Sequence, residues 1–158
     1  MKKRTYLTVV LAIVVSIFLL LLWNGENALV QESIAAQKPL DGVSLTVSAT
    51  RHKVEYTIES FETDYIVYDG YSKSMSLEML KDGKWYIVGD RKIGHDAPAA
   101  ISPENSNTVK YRWKDIYEHN MKKGQYRLVY TFWAMPRGED GLRHQTENYV
   151  VMQEFSID

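Results

Sequence analysis

The chain has 158 residues and no cysteine, which excludes a disulfide framework, a thiolate metal site and attachment through an acylated lipobox cysteine. Its 19 Lys and Arg against 20 Asp and Glu give a formal net charge of −1, without the basic stripe that marks nucleic-acid binders, so nucleic acid is not an expected partner. The length suits a single domain large enough to bury a core without covalent staples.

The chain opens on Lys2, Lys3 and Arg4, followed by an almost unbroken apolar run from Tyr6 to Trp23. As a helix this run reaches roughly 30 Å, the hydrocarbon thickness of a bilayer. No charged residue falls near its middle at Val14 or Val15, where one would cost a few kcal/mol of insertion. A cleaved secretory signal has a shorter apolar core, about 7 to 15 residues, and a small-x-small site close behind it. Here cleavage after Ala28 would put Glu26 at a position that needs a small side chain, and Ser33-Ile34-Ala35 has suitable sizes but lies well beyond the run. The reading is a retained single-pass anchor, with secretion as the alternative if the segment is cleaved. Basic residues precede the run and Glu26 and Glu32 follow it, so the amino terminus is expected in the cytoplasm and the bulk of the chain outside. The expected organisation is a cytoplasmic basic tail at 1–5, a transmembrane anchor at 6–23, a spacer at 24–40 and an extracytoplasmic domain at 41–158.

Beyond the spacer the pattern turns to period two. Leu45, Val47 and Ala49 alternate with Ser44, Thr46 and Ser48, and Val54, Tyr56 and Ile58 alternate with Glu55, Thr57 and Glu59, with a turn at residues 50–52. The patch Tyr65-Ile66-Val67-Tyr68 leads into the turn signal Asp69-Gly70. Residues 74–80 form the next strand, with Met75, Leu77 and Met79 on one side, and Asp82-Gly83 reverses the chain into Lys84-Trp85-Tyr86-Ile87-Val88 as a hairpin. Residues 89–107, with Gly94, Pro98 and Pro103, read as a long loop. Val109, Tyr111 and Trp113 resume the alternation, residues 114–121 suit a short helical turn, and Tyr126, Leu128, Tyr130 and Phe132 make one face of a strand that ends near Pro136. Residues 148–157 supply the last strand. Seven or eight strands with turn signals between them, and no long amphipathic helix, predict an all-β antiparallel sandwich behind one N-terminal transmembrane helix.

The segments VEYTIES (Val54 to Ser60), SLEMLKDGKWYIV (Ser76 to Val88) and GQYRLVYTF (Gly124 to Phe132), in that order and spacing, resemble the immunoglobulin-like domains of exported and membrane-anchored proteins of Gram-positive bacteria. The resemblance implies an immunoglobulin-like sandwich and no catalytic residues. It covers roughly residues 54–132, and the lipobox cysteine common in such proteins is missing. Physical reasoning assigns structural work to several aromatics independently. Trp85 and Tyr86 point to opposite faces, with Trp85 expected in the core and Trp113 a second candidate. Tyr126, just after Gly124, stands where a tyrosine corner forms, its hydroxyl bonding backbone a few residues upstream.

Motifs for chemistry are missing from the pattern. His52, His95, His119 and His144 fall in four separate turns or loops, with no HExxH and no close pair, so no metal site is expected. The run from Gly89 to Asp96 has two carboxylates, but their spacing is wrong for calcium and Arg91 and Lys92 would repel the ion. There is no GxSxG, no phosphate-binding glycine loop and no cysteine nucleophile. Glu62 with Asp64 and Glu139 with Asp140 read as solvated loop carboxylates. No catalytic residue and no cofactor is therefore expected. The residues singled out for ligand or partner contact are Tyr65, Tyr68 and Tyr71, clustered around a turn, with packing inside the sandwich as the competing use. The expected function is a non-enzymatic interaction or accessory module at the cell envelope, meeting an envelope protein or a glycan. A cell-wall glycan binder and an envelope enzyme or enzyme inhibitor are the alternatives.

Overall fold

The computed structural model describes residues 29–61, 65–69, 75–89, 100–102, 106–136, 139–142 and 144–158. Ten strands and one short helix are found among them: β1 (Leu29–Glu32), β2 (Val43–Ala49), β3 (Lys53–Ser60), β4 (Tyr65–Asp69), β5 (Met75–Lys81), β6 (Lys84–Val88), β7 (Ala100–Ile101), β8 (Asn107–Arg112), α1 (Trp113–Tyr117), β9 (Gly124–Pro136) and β10 (Asn148–Ile157). The apolar run at 6–23 lies outside the described residues. Within them no helix is long and apolar enough to cross a membrane.

All pairings are antiparallel. The smaller sheet has the order β2-β3-β8. In the larger sheet β9 is the centre: β10 pairs along one of its edges, while β5 and β4 lie end to end on the other, β5 opposite Tyr126 to Tyr130 and β4 opposite Phe132 to Pro136. Beyond β5 come β6 and then β1 at the rim, and beyond β4 comes β7. This is an all-β sandwich of antiparallel sheets.

The alternation in the sequence becomes the inside and outside of the sandwich. Along β3, Val54, Tyr56, Ile58 and Ser60 are buried while Lys53 and Glu55 are exposed. Along β9, Tyr126, Leu128, Tyr130, Phe132 and Ala134 are all buried. The tyrosines fill space between the layers: Tyr56 of the smaller sheet meets Tyr130 of the larger at 6.0 Å between ring centroids, and Tyr126 and Phe132 stack on Phe155 and Tyr149 of β10 at 5.9 and 5.7 Å. Ring pairs at these separations add about 0.5 to 1.5 kcal/mol each beyond their area burial.

Turns follow their local chemistry. Asp82 and Gly83 both have positive φ, 52° and 78°, as a two-residue type I′ hairpin requires. In the β2–β3 turn the Thr50 hydroxyl accepts from the backbone N–H groups of His52 and Lys53. That turn is also the landing site for α1. Trp113 Nε1 donates to the Thr50 carbonyl at 2.8 Å, and the backbone N–H groups of Trp113 and Met121 donate to His52 and Arg51 at 3.0 Å. Trp113, Ile116, Tyr117 and Met121 thereby close this end of the core, all buried.

Three readings from sequence change. Trp113, fully buried, is the core tryptophan, whereas Trp85 is half-buried on the outer face of the larger sheet. The reason is register: Trp85 pairs with Leu80 and so shares the face of Glu78, opposite the core residue Leu77. The stretch 89–107, read as one loop, contains β7, which pairs with Val67 and Tyr68. The structure also draws residues from the stretch read as spacer into the sheet, since β1 pairs with β6 through Leu29, Gln31 and Glu32.

Candidate functional site

The cross-strand pairs Glu78↔Arg127, Glu78↔Ile87 and Leu80↔Trp85 bring β5, β6 and β9 together on the outer face of the larger sheet. There the Glu78 carboxylate is almost wholly buried, its side chain 1% exposed, and Arg127 is 12% exposed with Nε 2.6 Å from Glu78 Oε2. The guanidinium lies over the Trp85 ring at 4.6 Å, a cation–π arrangement. The remaining carboxylate oxygen accepts from the Ser33 hydroxyl at 2.5 Å, and Ser33 N–H donates to the Trp85 carbonyl at 2.8 Å. A buried carboxylate is tolerated because both of its oxygens are bonded and its charge is matched.

Ser33 belongs to a strap. Beyond it, Lys38 exchanges backbone hydrogen bonds of 2.9 and 2.8 Å with Val150 of β10, its ammonium pairs with Glu147 at 2.7 Å, and it sits over the Tyr149 ring at 5.9 Å. One end of the strap is therefore fixed at the β6 edge and the other at β10. The connection crosses the outer face between them, where Val129 is buried outside the main core cluster. At the rim, Lys84 Nζ bonds Glu32 at 2.9 Å, and this hydrogen bond, then the carboxylate's charge, holds the lysine above its ordinary pKa.

The outer face of the smaller sheet is polar throughout. Its rows are Thr46, Thr57 and Thr108; Ser48, Glu55 and Lys110; and Lys53 and Arg112 beside Thr50. Thr57 and Thr108 share a hydrogen bond of 2.9 Å. A groove of about 420 Å³ runs over this face, with Lys53, Glu55, Lys110, Arg112 and Asp115 among its lining residues. Its charges are largely matched: Lys110 pairs with Glu55 at 3.0 Å, and Arg112 with Asp115 at 2.8 Å, a bond that raises the guanidinium's pKa. Matched surface charges offer an ionic ligand little net attraction.

Of the tyrosines singled out from sequence, Tyr65 and Tyr68 lie on β4 at the register positions of Pro136 and Trp133, and Tyr71 lies outside the described residues. The described histidines are not brought together. His52 is in the β2–β3 turn, His119 packs beside Tyr117 with Nδ1 3.1 Å from the Asn120 carbonyl, His144 bonds Asp140 at 2.9 Å in the β9–β10 connection, and His95 is outside the described residues. Among the described residues no group of three or more His, Cys, Asp or Glu is placed to hold a metal ion. The Ser33–Glu78–Arg127 cluster escaped sequence reasoning, because Glu78 reads as an ordinary solvated strand position until Ser33, 45 residues away, is folded onto it.

The end of the sandwich beneath β9 is closed by a tyrosine. Tyr126 is fully buried at the start of β9, and its hydroxyl donates to the Lys122 carbonyl at 2.9 Å, forming the tyrosine corner after the α1 crossover. A model of the bacterial Ig-like domain matches residues 40–156. The chain belongs to the bacterial Ig-like domain family. No curated protein matches it. The Ig-like assignment covers β2 to β10 and leaves β1 and the strap on its amino-terminal side. Ig-like domains of this family are in general non-catalytic modules. Among the described residues the one deeply buried carboxylate, Glu78, is locked in an ion pair and serves as a fastening.

Proposed function

We propose that this protein is a non-enzymatic accessory or interaction module held at the outer face of the cytoplasmic membrane, with residues 6–23 as a single-pass anchor and the Ig-like domain outside. The observation that carries this reading is the coupling of a basic start and a bilayer-length apolar run to an Ig-like domain matched over residues 40–156. The domain presents an adhesive scaffold rather than a reaction centre, and its partner is an envelope protein or glycan met through the segment that carries Tyr65, Tyr68 and Tyr71. Crosslinking with a membrane-impermeant reagent on intact cells bearing the anchored chain tests this. Recovery of envelope components, lost when the three tyrosines are replaced by alanine in a folded domain, is the expected result. Capture of cytoplasmic proteins alone refutes it.

A further inference from the structure

The strap changes the geometry of attachment. Residues 29–38 lie outside the matched Ig-like region, yet β1 is paired to β6, Ser33 is bonded to Trp85 and Glu78, and Lys38 is paired to Val150. Only residues 24–28 then separate the end of the apolar run at Trp23 from the sandwich at Leu29. Six Cα steps of at most about 3.6 Å span no more than roughly 22 Å in any conformation. The sandwich is larger than this leash, since the 13 residues of β9 extend to about 43 Å at 3.3 Å each. The leash is fastened at the rim of the larger sheet, and β10 lies across β6, β5 and β9 from it, about 19 Å away at four strand spacings.

That rim and the start of the strap beside it carry two exposed apolar side chains, Val30 at 65% and Ile34 at 94% exposure. The charges beside them, Glu32 and Lys84, neutralise each other at 2.9 Å. A rim whose charges are paired, with protruding aliphatic side chains and tied within about 22 Å of the membrane exit, fits the apolar-polar boundary of a bilayer better than open water. We infer that the β1 rim rests on the lipid surface, with Val30 and Ile34 making the contact, so that the strap orients the domain edge-on to the membrane. This rests on residues 6–23 being a membrane anchor.

Because the chain contains no cysteine, single labels are straightforward. Gln31→Cys places an exposed reporter on the β1 rim and Glu154→Cys one on β10. The labelled full-length chain is reconstituted into phosphatidylcholine–phosphatidylglycerol vesicles containing headgroup spin-labelled lipid. The expected result is loss of most emission at position 31 and little loss at position 154. Equal quenching at the two positions in chain that floats with the vesicles overturns the orientation while leaving the anchor intact. Shielding of position 31 from aqueous iodide without lipid quenching means that a second copy covers the rim, and also overturns it. Chain that does not float with the vesicles overturns the anchor itself, and this inference with it.

Discussion

Arg127→Met removes the partner of a carboxylate that is 1% exposed and leaves Glu78 with the Ser33 hydroxyl as its remaining bonded neighbour in the cluster. Breaking a buried pair from one side costs about 3 to 5 kcal/mol, because the surviving charge stays desolvated. Glu78→Leu is the milder change. It strands Arg127, but that guanidinium is 12% exposed and keeps its seat on Trp85, so a cost of about 1 to 2 kcal/mol is expected. The double variant replaces the pair with apolar groups and returns to within about 1 kcal/mol of the parent, since well-packed apolar substitutes for buried ion pairs are often neutral. The cycle then shows a coupling of at least about 3 kcal/mol, at or above the upper end of what contacting residues usually show. Urea unfolding of a 29–158 fragment, followed by tryptophan fluorescence, measures all four forms. Thermal melts give a second readout, with Arg127→Met lowering Tm by about 10 to 20 °C in a domain of this size. A cost below about 1 kcal/mol for Arg127→Met, as for a solvated surface pair, refutes the fastening described for the strap.

The other predictions concern the ends and the turns. Tyr126→Phe deletes the 2.9 Å bond to the Lys122 carbonyl and should lower unfolding free energy by about 1 kcal/mol without changing the denaturant slope. Trp113→Ala empties a fully buried site and should cost about 3 to 5 kcal/mol, whereas Trp85→Ala, on the outer face, should cost clearly less; the reverse order would show that the register of β5 and β6 is misassigned. Gly83→Ala forces a side chain into φ +78° at the hairpin, where nothing lies within 4 Å of the added carbon, so a loss of about 1 to 2 kcal/mol measured by denaturation reports backbone strain alone.

Most of the sandwich was legible because one face of each long strand is wet. β2, β3, β8, β9 and β10 follow the alternation, and the turns at residues 50–52 and at Asp82-Gly83 fall where Thr50 and the glycine place them. The segments missed from sequence are those whose strand character comes from a distant partner. LVQE at β1 has four residues and no period of its own, and it becomes a strand only against Tyr86 to Val88. The two residues of β7 are defined by Val67 and Tyr68 in the same way. Trp85 was misplaced because Lys84-Trp85-Tyr86-Ile87-Val88 is apolar on both faces, so its sequence cannot say which side turns inward. At the candidate site, the tyrosine corner was readable from Gly124 and Tyr126, while the Ser33–Glu78–Arg127 cluster depends on contacts 45 and 49 residues apart along the chain. Short-range pattern carries no signal for such contacts.

The central claim is that Tyr6 to Trp23 spans the membrane and leaves the Ig-like domain outside the cell. Protease added to wall-stripped, membrane-intact cells tests it most directly, with an epitope at the carboxy terminus after Asp158. The account predicts that the epitope is lost while cytoplasmic markers survive. An epitope that persists until detergent opens the membrane, in chain shown to be protease-sensitive once released, would contradict it.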